Sequence, residues 1–101
     1  MEVLQRIKRL VVHGHIRFTG KAREEMRMDG LSNAQVIESI VNAQSIYKTL
    51  RSRSQFRSHA GEKLNVISDE GVLIYSKGTI RPSQGGETFY IFVSAKANNV
   101  N

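Results

Sequence analysis

At 101 residues, with 40% apolar and 24% charged composition, the chain is sized for one domain with a single modest core. It has no cysteine, which excludes disulfide scaffolds, thiolate metal sites and cysteine nucleophiles. A formal net charge of +6 favours an anionic ligand or an acidic protein partner.

Val3, Leu4, Ile7, Leu10 and Val11 recur at helical spacing and form an apolar stripe. Charges at Glu2, Arg6, Lys8 and Arg9 run through the same stretch, so it does not read as a signal peptide. No apolar run reaches the roughly 18 residues of a membrane span, and a soluble cytoplasmic protein is expected. Gly14 is a helix stop, and His15 to Phe18 reads as a short extended link. Thr19 is placed to cap a second helix, with Glu24 and Glu25 near its positive end. Ala22 and Met26 face inward and Gly30 ends it. Ser32 and Gln35 form a capping box, with Leu31 and Val36 at the staple positions. Val36, Ile37, Ile40 and Val41 then carry a third helix.

The period changes in the second half. Ile46 to Leu50, Leu64 to Ile67, Val72 to Ile80 and Thr88 to Ala95 read as strands. Turn residues separate them at His59–Gly61, Asp69–Gly71 and Arg81–Gly86. The expected fold is α+β, with short N-terminal helices packed on one face of a mainly antiparallel C-terminal sheet. Residues 1–97 form a single domain, and residues 98–101 are expected to be a frayed tail.

Between Ser39 and Gly61 there is no acid, while Lys48, Arg51, Arg53, Arg57 and His59 are present. Such a window suits a phosphate-rich partner. It lacks the clustered carboxylates that metal-dependent or glycosidase chemistry requires, and neither a cofactor nor a metal is expected. Strand alternation assigns the open sheet face. Tyr75, Lys77 and Thr79 share a side in the third strand, and Thr88, Tyr90, Phe92, Ser94 and Lys96 share one in the fourth. In the second strand Lys63 and Asn65 oppose Leu64 and Val66, and the side of Lys48 stays ambiguous. A bulge or a one-residue slip reverses such assignments. Plain structural roles compete at every position. The arginines fit a solvated loop, Tyr75 and Tyr90 fit strand positions with outward hydroxyls, and Lys77 and Lys96 fit edge charges. His59 fits a turn residue as well as an acid–base group. His13-Gly14-His15 has no carboxylate nearby in sequence to complete a metal site.

In combined order the chain resembles the MqsR-type mRNA interferase toxins of the RelE-like superfamily. The resemblance begins with Val3-Leu4-Gln5-Arg6-Ile7-Lys8-Arg9-Leu10-Val11, Gly14, Ile16-Arg17 and Thr19, and continues through Gly30-Leu31 and Val36-Ile37. Ile46-Tyr47-Lys48-Thr49-Leu50 is similar to that family's Phe-Tyr-Lys strand. Val72-Leu73-Ile74-Tyr75-Ser76-Lys77 is similar to its Val-Tyr-Leu-Lys strand, and Val93-Ser94-Ala95-Lys96 to its terminal Val-Ser-Phe-Lys. The resemblance implies a metal-independent endoribonuclease that cuts mRNA by 2′-hydroxyl attack and is held by a cognate antitoxin. It implies a functional set of Lys48, Tyr75 and Lys96. Arg51, Arg53, Arg57, His59, Lys77 and Tyr90 would then contact RNA. The alternative is a non-catalytic module that binds RNA or docks the antitoxin. Two departures stand out: Gln55 lies too early for the family's glutamine, and the Arg81–Glu87 turn is longer.

Overall fold

The computed structural model describes residues 2–53, 61–69, 72–83, 85–86 and 88–97. Arg57, His59 and the expected tail at 98–101 lie outside the described residues, as does most of each of the first two expected turns. Three helices, α1 (Val3–Val12), α2 (Gly20–Asp29) and α3 (Asn33–Val41), occupy the first half, with strand β1 (Ile16–Phe18) between the first two. Strands β2 (Lys48–Arg51), β3 (Lys63–Asp69), β4 (Val72–Pro82) and β5 (Thr88–Ala97) follow. The fold is therefore α+β, with one five-stranded sheet in the order β1-β5-β4-β3-β2.

Local chemistry sets the helix ends. At the close of α1 the amide of His15 donates to Leu10 and that of Gly14 to Val11, a Schellman closure. It requires the left-handed backbone that Gly14 adopts at φ 78°. The Thr19 hydroxyl accepts from the amide of Ala22 and starts α2. Ser32 and Gln35 bond reciprocally at the start of α3, as the capping box requires.

The extended link at Ile16–Phe18 is a strand, parallel to β5 with Ile16 opposite Tyr90 and Phe18 opposite Phe92. Three residues are too few to show a period, and only the long-range partner reveals the strand. The sheet is thus mixed and has five strands rather than four. The expected turn at Arg81–Gly86 also starts late, because Arg81 and Pro82 pair with Phe89 and Thr88. Proline is tolerated there because it ends the strand.

All three helices contribute to one core against one sheet face. Ile7, Met26, Val36 and Ile40 pack with Ile67, Tyr90, Phe92 and Ala95. Phe18 stacks on Phe92 at 4.7 Å, and Tyr90 meets Phe92 edge-on at 5.0 Å. Each such apolar side chain contributes about 1.5–3 kcal/mol by leaving water. Gly78 completes this face. A Cβ there would lie 2.5 Å from the ring of Tyr90, so the glycine makes the space that the aromatic ring fills.

Beyond β1, the edge of β5 is closed by α2. The Thr19 amide and hydroxyl donate to the carbonyls of Phe92 and Val93. Further along, Glu25 accepts from the amide of Ala95 and Asp29 from that of Ala97. Four helical residues advance about 6 Å, and two strand residues advance about 6.6 Å. The spacing of the two carboxylates therefore matches the spacing of the two outward amides, and a polar helix face covers an otherwise open edge.

Candidate functional site

The side of β5 reverses once along its length. Lys77 pairs with Ser94, yet the adjacent Gly78 pairs with Phe92, so Val93 is an extra residue in a bulge. Before the bulge Tyr90 and Phe92 face the helices, and after it Ser94 and Lys96 face the opposite way. The sequence-based grouping of Tyr90 and Phe92 with Lys96 is therefore corrected. Tyr90 has no exposed surface and packs in the core, so it is not available to stack on a base. Burial pushes its phenol well above the usual tyrosine range.

On the face away from the helices the register builds two rows. Lys48 pairs with Val66, Val66 with Lys77, and Lys77 with Ser94. In the next row Ser68 pairs with Tyr75 and Tyr75 with Lys96. The Lys96 ammonium stands 5.4 Å from the centre of the Tyr75 ring, a cation–π contact. Strands lie about 4.8 Å apart, which sets Lys48 about 10 Å from Lys77 and about 15 Å from β5. Lys48 and Lys96 are exposed, whereas Tyr75 and Lys77 are half-buried. Among the described residues no carboxylate comes within ion-pair distance of these three lysines.

The floor between them is apolar. Leu64, Val66 and Ile91 are buried on this face, apart from the main core cluster. β3 thus turns Leu64 and Val66 toward the lysines. Asn65 faces the helix side, where its amide donates to the Gly78 carbonyl at 3.4 Å. At the far end Arg17 covers the Phe89 ring at 4.5 Å. Arg81 is held by a two-bond pair with Glu62 at 2.7 and 2.8 Å, which neutralises it and raises its pKa.

Lys77 sits deeper in the face than the exposed Lys48 and Lys96. Partial burial lowers its pKa first, and the charges of Lys21 and Lys96 lower it further, while Glu25 opposes them. Lys21 and Glu25 belong to α2 and reach this site because α2 lies along β5. The Ser94 hydroxyl, opposite Lys77, donates to Glu25 at 2.6 Å. Sequence reasoning placed Ser94 on the open face with Lys96 but missed Lys21 and Glu25 as part of the site. Their signal was the i, i+4 series Lys21, Glu25, Asp29, one step out of phase with the buried pair Ala22 and Met26.

Other expected contacts separate from this cluster. Arg51 pairs with Lys63 on the opposite side of the sheet from Lys48, and its guanidinium donates to the Gly61 carbonyl at 3.0 Å. Arg53 is exposed just beyond β2. His13 lies within 2.8 Å of the Arg9 carbonyl, and His15 rests on Phe89 with ring centroids 5.4 Å apart.

The arrangement defines an α+β protein with one helix-covered sheet face and one cationic face of lysines and a tyrosine on an apolar floor. Comparison with protein-family models, with curated proteins and with solved structures finds no match to this chain.

Proposed function

We propose that the cationic sheet face binds RNA and that the protein is a metal-independent endoribonuclease acting on mRNA, a toxin restrained by a cognate antitoxin protein. One observation carries this reading: the strand register gathers Lys48, Tyr75, Lys77 and Lys96 on one face, and among the described residues none of these lysines is ion-paired to a carboxylate. Lysine ammonium groups neutralise phosphates and stabilise the extra charge of a pentacoordinate phosphorus. A tyrosine hydroxyl between them orients an oxygen or transfers a proton. RNA selectivity follows from the 2′-hydroxyl, which attacks the adjacent phosphate.

The spread of the lysines supports a second reading. Lys48 stands about 15 Å from β5, wider than one phosphodiester group, so the whole set spans several phosphates. A non-catalytic RNA platform, or a surface that docks an acidic antitoxin, uses the same face. Incubation with RNA in excess EDTA separates the readings. Cleavage that is lost in Tyr75→Ala and Lys96→Ala supports the nuclease. Salt-sensitive binding without a cleaved product supports the platform, and neither binding nor cleavage overturns both RNA readings.

A further inference from the structure

Within the nuclease reading, on which this inference rests, we propose that Lys77 is the general base that takes the proton from the RNA 2′-hydroxyl, with Tyr75 protonating the departing 5′-oxygen and Lys21 and Lys96 flanking the phosphate.

Placement argues for this division of roles. An in-line displacement sets the attacking and leaving oxygens on opposite sides of phosphorus. Tyr75 and Lys77 are two residues apart on one face of β4, hence about 6.6 Å apart along the strand, a separation that brackets one phosphate group. Lys96 lies directly opposite Tyr75 and diagonal to Lys77. Lys48 sits two strands from Lys77, at the distance of a neighbouring phosphate rather than the reacting one.

Surroundings select Lys77 among the three lysines. Lys48 and Lys96 are exposed, whereas Lys77 is half-buried beside Val66, which is 1% exposed. Lys21 from α2 and Lys96 from β5 face it with positive charge, and Glu25 from α2 offsets them in part. Tyr75 from its own strand, Lys48 beyond Val66 on the β2 side, and the Ser94 hydroxyl on β5 complete its polar surroundings. Crowded cations and partial desolvation favour a neutral amine, the form a base requires.

The step balances without a metal or a co-reactant. The Lys77 amine removes the 2′-proton, the 2′-oxygen bonds to phosphorus, and the bond from phosphorus to the 5′-oxygen breaks. The leaving oxygen takes the Tyr75 proton, and the phenolate left behind lies beside the Lys96 ammonium. Products are a 2′,3′-cyclic phosphate and a 5′-hydroxyl, and exchange with water restores both side chains.

Single-turnover cleavage of an RNA oligonucleotide in EDTA, measured across pH, tests the assignment. Wild type, Lys77→Arg, Lys77→Ala and Lys21→Met are compared, and binding of a 2′-deoxy analogue is measured in parallel. The wild-type rate is expected to rise with pH to a plateau. Lys77→Arg is expected to bind the analogue within a few-fold of wild type, yet to cleave about 10²–10⁴-fold more slowly and lose the rising limb. Lys21→Met is expected to move that limb to higher pH, because Lys77 then keeps its proton longer. A Lys77→Arg variant that cleaves at the wild-type rate, or a limb unmoved by Lys21→Met, overturns the base assignment while leaving the nuclease reading intact. Absence of wild-type cleavage overturns both.

Discussion

The two faces of the sheet are made from the same strands yet obey different rules. On the helix side Ile67, Tyr90, Phe92 and Ala95 form part of one packed core, and every atom there has a neighbour to lose. On the other side Leu64, Val66 and Ile91 make an apolar floor from which Lys48, Tyr75, Lys77 and Lys96 rise toward solvent. The first face supplies stability, and the second presents charge that stability does not need. A single extra residue, Val93, divides them along β5 by turning the strand over between Phe92 and Ser94.

Substitutions on each face put that contrast to the test. Phe92→Ala, in the centre of the core, is expected to cost about 3–5 kcal/mol in urea unfolding, the largest effect. Gly78→Ala forces a methyl into a buried ring that cannot easily move, and a loss of about 1–3 kcal/mol is expected. Combining it with Tyr90→Ala should cost less than the sum of the two, since the second change clears the space the first needs. Ser32→Ala removes one half of the capping box and should cost about 1 kcal/mol, read by the same unfolding curves.

A smaller effect reports the environment of the Tyr90 hydroxyl. That hydroxyl is buried and has no hydrogen-bond partner among the described residues. Tyr90→Phe is therefore expected to be neutral or stabilising by up to about 1 kcal/mol at pH 7. Its folded pKa lies above the unfolded value near about 10, so folding favours the protonated phenol. This contribution is intact below the unfolded pKa and is lost as pH rises past it. Between pH 8 and pH 11 the wild type should lose more stability than Tyr90→Phe, and equal losses would place the ring in water. At the bottom of the scale, Lys48→Ala and Lys96→Ala should change stability by no more than about 0.5 kcal/mol. Each should still weaken RNA binding and make it less steeply salt-dependent. A large unfolding effect from either lysine would erase the distinction between the faces.

Sequence alone determined the features settled within one turn of chain. The Ser32–Gln35 box, the Thr19 cap and the inward pair Ala22 and Met26 were legible because each is satisfied by residues three or four positions away. The strands β3, β4 and β5 were legible from their alternation, and so was the grouping of Tyr75 with Lys77. Tertiary structure decided the rest. Ile16–Phe18 became a strand only through β5, and Tyr90 became a core residue only because a bulge across from Lys77 and Gly78 reversed its side. Lys21 and Glu25 joined the site only because α2 lies along the β5 edge. Local hydrogen bonds are written in neighbouring residues, whereas the side a strand presents depends on pairing partners up to about 75 positions away.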